Sequence, residues 1–185
     1  MQSSDDVNTA SAYFNENWQR YQSTVKNNTL YHREMLAALR QFLSANIGTR
    51  TFSFVDVGCG DSSTVAPLLA DQPIIKYIGI DAAEDVLKMA STSLAQLECE
   101  KEFIADNMTT AIPRLSSPVD IIFTSYAVHH LSLQDKFNFI ESCRQKLNQN
   151  GFLLMVDGVL KDNQTRDEWL NALQGRMETT IPDIT

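Results

Sequence analysis

The sequence predicts an α/β domain built on a parallel sheet, and three observations support this prediction. Helix-like and strand-like stretches alternate along the 185 residues without an evident internal repeat. The apolar stretch Phe52–Val57 leads into a turn with Gly58 and Gly60, where the chain can adopt positive φ and bring its backbone close to a ligand. A hydrophobic content of 43% is enough for one sizeable core.

The first half of the chain contains two predicted helices and two predicted strands. Apolar residues recur at helical spacing from about Leu30 to Ala45, and Gly48 follows as a stop signal. Strand-like runs cover Thr51–Val57 and Ile74–Ile80. An acidic first turn at Glu84 then opens a helix that extends to about Leu97.

The second half continues the alternation. Strands are predicted at Glu102–Ala105, Val119–Ser125 and Phe152–Val156. Between the last two, a helix capped by Ser132 is predicted to reach Leu147, and Thr165 has the capping pattern of one more helix.

Composition excludes several function classes. The net charge of −8 and pI near 4.8 make nucleic acid an unlikely partner, because phosphate binding needs clustered Lys and Arg. No apolar run approaches the roughly 18 residues of a membrane span. The three cysteines are widely spaced, so neither a metal site nor a disulfide framework is indicated. We expect a cytoplasmic protein.

Polar residues lie at or just after the carboxyl ends of four predicted strands, where an open parallel sheet binds its ligands. They are Asp56, Asp81, Asp106 and the pair Ser125-Tyr126. Asp81 comes 23 residues after Gly58, a spacing at which a carboxylate can accept hydrogen bonds from the ribose hydroxyls of a nucleoside cofactor.

Four motifs together resemble the class I S-adenosylmethionine-dependent methyltransferases: V-D-V-G-C-G-D, G-I-D, A-D-N-M and D-I-I-F-T-S-Y-A-V-H-H-L, spread over about Phe54 to Asp157. The resemblance is greatest to the small-molecule methyltransferases of ubiquinone and menaquinone biosynthesis. It implies a Rossmann-like three-layer sandwich of strand order 3-2-1-4-5, S-adenosylmethionine (SAM) as cofactor, S-adenosylhomocysteine (SAH) as product, and a small-molecule acceptor methylated by direct displacement.

The resemblance also implies a role for each motif residue. Around the methionine part of the cofactor it places Asp56, Gly58, Cys59 and Gly60. Asp81 would hold the ribose, and the adenine would lie among Ala82, Asp106, Asn107 and Met108. Ser125 would border the sulfonium, and Tyr126 and His129 are the predicted catalytic residues at the acceptor.

Simpler interpretations stay open for these residues. Asp56 could cap a loop, Asp81 could cap the next helix, and Asp106 could make a turn with its neighbour. Cys59 is interpreted as a small apolar filler rather than a nucleophile. A nicotinamide-dependent dehydrogenase is disfavoured, because its fingerprint needs a third Gly or Ala where this chain has Ser63.

The pair His129-His130 has two interpretations of equal weight. One histidine, preferentially His129, could act as a general base on the acceptor. Alternatively, the pair could pack or cap a helix, since an already nucleophilic acceptor needs no base. Two adjacent histidines without further ligand spacing do not predict a metal site.

The domain organisation is predicted as a lid over residues 1–50, a cofactor-binding core over 51–160 and a C-terminal helix over 161–185. Lid candidates, which could equally be packing aromatics, are Tyr13, Trp18, Tyr21, Tyr31 and His32. Related domains usually end with two further strands that this chain is expected to lack. A homodimer covering the open sheet edge, or a cofactor-binding module without catalysis, is the resulting alternative.

Overall fold

A computed structural model describes Trp18 and residues 20–180. Residues 20–26 are helical. The longer helices are α1 (His32–Asn46), α3 (Glu84–Ser93), α5 (Leu133–Lys146) and α6 (Arg166–Thr180), and the short ones are α2 (Ala66–Leu69) and α4 (Met108–Ala111). The strands are β1 (Phe52–Val57), β2 (Ile74–Asp81), β3 (Glu100–Ala105), β4 (Val119–Ser125) and β5 (Leu147–Val156).

The five strands form one parallel sheet in the order β3-β2-β1-β4-β5, which confirms the predicted architecture. The order reverses at β1, so the turn after β1 lies at the switch point where such sheets bind ligands. Side chains alternate across the strand: Phe52 and Phe54 pack in a core with α1, whereas Val55 and Val57 pack in a second core with α5. Helices therefore cover both faces of the sheet.

Local signals explain where the long helices begin and end. Helix α1 stops at Gly48, which has φ 61° and donates its N–H to the carbonyl of Leu43. The side chain of Ser132 accepts from the N–H of Asp135 at the start of α5. Thr165 and Glu168 exchange hydrogen bonds before α6, as the capping pattern predicts.

Several predicted boundaries were wrong; β3, for example, begins at Glu100 rather than at Glu102. Leu30 lies in a turn, because Tyr31 adopts a left-handed conformation of φ 60° and α1 begins only at His32. Helix α3 ends at Ser93, before Leu97. Strand β5 starts at Leu147, which pairs with Val119 ahead of an irregular register, so the expected helix residue belongs to the sheet.

Within the described residues, no helix has both the length and the apolar character that crossing a membrane would require.

Candidate active site

The glycine-rich turn after β1 is shaped by backbone geometry that only glycine adopts freely. Gly58 has φ 70° and Gly60 has φ 53°. The N–H groups of Gly58 and Cys59 both donate to the carbonyl of Ile80, at 2.8 and 3.1 Å, which fastens the turn to β2. A β-carbon on Gly58 would lie 2.5 Å from the β-carbon of Ala127. The turn is therefore held close to both neighbouring strands.

Asp56 is buried near the end of β1 and is held by a short chain of hydroxyl groups. Tyr77 donates to its carboxylate over 3.0 Å, so the hydroxyl of Ser62, 2.8 Å from that of Tyr77, is the donor in the second bond. Burial, together with the charge of Asp81, raises the pKa of Asp56 to about 7 against the lowering effect of the Tyr77 hydrogen bond. A buried carboxyl group with this pKa is poised to respond to a cationic ligand.

Asp81 connects two parts of the site. Its carboxylate accepts from the N–H of Gly60 and from that of Ala83, each over 2.9 Å. The second bond forms a local turn before α3, whose N-cap is Ala83 without a side-chain cap, so Asp81 does not cap that helix. The first bond ties β2 to the glycine-rich turn. Burial raises the pKa of Asp81 although its backbone hydrogen bonds lower it. Each carboxylate oxygen keeps a second lone pair with which it can accept from a ligand.

The end of β3 adjoins Asp81 and is braced by local contacts. The N–H of Asp106 donates to the carbonyl of Asp81 over 3.1 Å, and its carboxylate pairs with Arg114 at 3.1 Å. Asn107 caps α4, accepting from the N–H of Thr109. The predicted adenine-side residues are thus neighbours, with Ala82 and Met108 half-buried beside them.

Tyr126 follows β4 in an unusual conformation, with φ 53°. Its N–H donates to the carbonyl of Val156 on β5, and its hydroxyl donates to the carbonyl of Leu30. Tyr126 therefore joins the end of the sheet to the segment before α1, and the preceding Ser125 is half-buried.

His129 forms a pair with an acidic residue that the sequence analysis did not single out. Its Nδ1 lies 2.7 Å from one carboxylate oxygen of Asp157, and its N–H donates to the other over 2.9 Å. Burial alone would raise the pKa of Asp157, but the hydrogen bond and charge of His129 lower it overall. Asp157 directly follows β5, so the strand-end rule that found Asp56 and Asp81 applies to it equally.

Aromatic rings from the N-terminal side extend over this edge of the sheet. Ring centroids lie 5.4 Å apart for Trp18 and Tyr21, 6.2 Å for Tyr21 and His32, and 5.0 Å for His32 and Tyr126. A β-carbon on Gly60 would be 3.7 Å from the Trp18 ring. Three of the lid candidates thus form one aromatic row, hereafter the lid row, that reaches the glycine-rich turn.

The other two lid candidates are not in the lid row. Tyr31 is exposed, and its ring stacks under the guanidinium of Arg176, 3.8 Å away. Tyr13 lies outside the described residues.

His32 stands out within the lid row. Its side chain is only 2% exposed, and neither ring nitrogen has a hydrogen-bond partner among the described residues. Burial lowers the pKa of His32, so the ring is neutral near pH 7. Buried polar groups are normally paired, and the indole nitrogen of Trp18 in the same lid row is likewise buried without a partner among the described residues.

The charge around the lid row is negative. Burial, followed by the charges of Asp61, Asp56 and Asp81, raises the pKa of Tyr21. These three carboxylates thus lie close enough to Tyr21 to act on one hydroxyl group. Burial, with Asp56 and Asp81, also raises the pKa of the Cys59 thiol well above its usual range, which disfavours a nucleophilic role.

In the described part of the chain, no three His, Cys, Asp or Glu side chains are grouped so that they could hold a metal ion.

Comparison with known proteins places this geometry in a family. The methyltransferase domain family matches residues 55–153, more than half of the chain. An uncharacterized methyltransferase of Halobacillus halophilus is 24% identical over 149 residues, covering 80% of this chain and 67% of the relative. One from Alkaliphilus oremlandii is 28% identical over 120 residues, covering 65% and 52% respectively. The chain thus spans between half and two thirds of these relatives' lengths.

Solved structures share the fold at low sequence identity. Magnesium protoporphyrin IX methyltransferase from Synechocystis PCC 6803, with bound SAM, superposes with a TM-score of 0.67 at 15% identity, covering 95% of this chain and 86% of that one. An amino pentose methyltransferase from Micromonospora echinaspora, also with SAM, gives 0.63 at 16% identity, covering 78% and 58%. The strand order, the glycine-rich turn and the family match agree, and the chain belongs to the methyltransferase domain family.

Proposed function

We propose that this chain binds S-adenosylmethionine at the carboxyl edge of its sheet and transfers the methyl group to a small-molecule acceptor. One observation carries the proposal: the buried carboxyl groups of Asp56 and Asp61 flank the glycine-rich turn, and the carboxylate of Asp81 is hydrogen-bonded to Gly60 of that turn. SAM has a positive sulfonium and a positive ammonium group. Carboxylates and aromatic faces both attract such cations, so the residues present fit this cofactor.

The proposed binding roles follow from which groups can still form bonds. Gly58 and Gly60 let the backbone approach the methionine part, with Asp56 behind them and Cys59 filling the turn. Asp81 holds the ribose hydroxyls through its remaining lone pairs. Ala82, Asp106, Asn107 and Met108 line the adenine side, and Ser125 borders the sulfonium. The structure of the Synechocystis methyltransferase with bound SAM supports these roles by analogy of fold.

The lid row contributes exclusion of water. Trp18 lies against Gly60, and Tyr126 is anchored to Leu30, so the segment before α1 covers the turn. SAM, when bound, supplies a methyl group on a positively charged sulfur that leaves as a neutral thioether. Aligning donor and acceptor in a dry pocket is worth up to roughly 7 to 11 kcal/mol in well-oriented systems, so no covalent enzyme intermediate is needed.

Titration calorimetry with SAM, SAH and NAD tests the proposal. We expect micromolar affinity for SAM and SAH and none for NAD. Because only SAM has a sulfonium, raising the salt concentration should weaken SAM binding more than SAH binding. Binding of NAD instead of SAM, or no binding of either sulfur nucleotide by the folded chain, would contradict the proposal.

A second candidate is a cofactor-binding module that needs a partner to complete catalysis. Leu133 and Phe137 on α5 and Met155 on the edge strand β5 are exposed, an arrangement typical of surfaces that become covered. A homodimer across this edge is the expected form. Sedimentation at several concentrations, combined with a methyl-transfer assay, distinguishes an active monomer from a module that is active only when assembled.

Two finer expectations remain part of this proposal. The resemblance to methyltransferases of ubiquinone and menaquinone biosynthesis is the basis for a small organic acceptor, and the widely spaced cysteines are the basis for a cytoplasmic location. Activity toward a small organic compound rather than toward protein or nucleic acid would support the first of these.

A further inference from the structure

We propose that His129 is the general base of the reaction, that Asp157 is its positioning residue, and that the acceptor is therefore a hydroxyl compound. This inference rests on the function proposed above and deepens it. It is carried by the paired contacts between the two residues, which lie at the carboxyl ends of adjacent strands.

The carboxylate of Asp157 fixes the orientation of the His129 imidazole ring. Asp157 accepts at one oxygen from the N–H of His129 and lies 2.7 Å from Nδ1 at the other. Both the backbone and the ring of His129 are thus held by one carboxylate. A carboxylate accepts hydrogen bonds, so Nδ1 carries the proton and Nε2 is the nitrogen left with a free lone pair.

The side chain of His129 is more exposed to solvent than that of Asp157. The side chain of Asp157 is 12% exposed and that of His129 is 46% exposed. Trp169 packs against the next residue, Gly158, whose added β-carbon would lie 2.7 Å from the Trp169 ring. The carboxylate is thus shielded while the imidazole stays accessible, as a base that must meet an incoming acceptor requires.

His130 and Tyr126 lie next to the His129–Asp157 pair. His130 lies on the same 3-10 turn, Val128–His130, with its ring centroid 4.1 Å from that of His129. Tyr126, just after β4, donates its main-chain N–H over 2.9 Å to the carbonyl of Val156, the residue before Asp157. Tyr126 also touches His32 of the lid row, so the His129–Asp157 pair adjoins the proposed cofactor site.

The acceptor class follows from what a base is needed for. An aryl amine is unprotonated at neutral pH and attacks through its own lone pair, and a thiol with a pKa near 8.5 is partly ionised there. A phenolic hydroxyl, with a pKa near 10, is almost entirely protonated there. In the proposed step the hydroxyl proton passes to Nε2 while the new carbon–oxygen bond forms and the carbon–sulfur bond of the donor breaks.

The experiment compares the natural chain with Asp157→Asn and with Asp162→Asn, an exposed residue that undergoes the same chemical change. Acceptors are phenol, 4-nitrophenol, thiophenol and aniline, with methyl-labelled SAM at about pH 8. We expect transfer to the hydroxyl compounds. Asp157→Asn should lower kcat for phenol by roughly 10²-fold but much less for 4-nitrophenol, which ionises without help. Asp162→Asn should match the natural chain.

Two further readouts separate positioning from general damage. Nitrogen NMR should show His129 with its proton on Nδ1 in the natural chain and a mixture of tautomers in Asp157→Asn. SAM affinity by calorimetry should be the same in both, so a failure of SAM binding would count against the proposed function instead.

Three results would overturn the inference while SAM still binds. One is transfer to the thiol or amine alone, another is no transfer to either hydroxyl compound, and the third is an equal loss for phenol and 4-nitrophenol in Asp157→Asn.

Discussion

The carboxylate of Asp81 accepts a hydrogen bond from the main-chain N–H of Gly60 over 2.9 Å, so the end of β2 is tied directly to the turn after β1. Two strands that are neighbours in the sheet thus share one carboxylate at the proposed cofactor site. The bond orders the turn and fixes the direction of the carboxylate that we propose to hold the ribose.

Asp81→Asn should weaken SAM binding by about 1 to 3 kcal/mol, because a neutral amide loses part of the acceptor capacity that the ribose hydroxyls need. Asp85→Asn is the matched control, since Asp85 lies on the exposed first turn of α3. Calorimetry on both variants is the measurement. Equal affinity of a folded Asp81→Asn and the natural chain would remove Asp81 from the site.

The raised pKa of Asp56 predicts that the free energy of unfolding falls as the pH rises. Its pKa is raised from 3.8 to about 7 in the folded protein, so the folded state holds a proton that the unfolded chain releases. The contribution of protonated Asp56 to stability is therefore fully present below about pH 4. It is lost as the pH rises through 7, which lowers the free energy of unfolding by up to about 4 kcal/mol.

Asp56→Asn removes this titration while keeping an oxygen that can accept from Tyr77. We expect the variant to be more stable than the natural chain at pH 8 and the difference to shrink toward pH 5. Urea unfolding at both pH values measures it. A difference that does not change with pH would show that Asp56 is ionised throughout.

Gly58→Ala should destabilise the protein by about 2 to 4 kcal/mol. The new methyl group would meet Ala127 at 2.5 Å, and φ is +70°, where a β-carbon is strained. Gly175→Ala is the control, because Gly175 lies in α6 with no atom within 4 Å of its added β-carbon, and it should gain about 0.5 to 1 kcal/mol. Thermal unfolding of the two variants should shift in opposite directions.

Tyr126→Phe should loosen the lid row by removing the hydrogen bond to Leu30, at a cost of about 0.5 to 1.5 kcal/mol. Bound SAH should then dissociate faster, which stopped-flow fluorescence of Trp18 in a Trp169→Phe background can follow. Tyr31→Phe is the matched variant, because its ring stays under Arg176 without the hydroxyl. An unchanged dissociation rate in Tyr126→Phe would show that Leu30 is held by other contacts.

The fold could be predicted well wherever an element is set by residues that are close together in the sequence. The bounds of β4 were predicted correctly, and the caps at Ser132 and Thr165 follow from side chains three residues away. Errors arose where distant residues decide. Leu147 has a helical context but pairs with Val119 on β4, and Leu30 is drawn into a turn whose carbonyl meets Tyr126.

The site shows the same division. Asp56 and Asp81 lie at the carboxyl ends of apolar strands, so their position at the ligand edge could be predicted. Asp157 was not singled out because its meaning depends on His129, 28 residues away in the chain. No sequence pattern predicts that His129 and Asp157 form a pair.

The sequence by itself determined the parallel α/β architecture, the glycine-rich turn and the edge of the sheet that carries the acidic residues, because strand periodicity, glycine conformation and capping act over a few residues. Only the tertiary structure decided which of those residues meet. It brought Asp157 to His129, Tyr77 to Asp56, and the lid row over Gly60. Such contacts depend on strand order and on packing between distant segments, which local patterns do not encode.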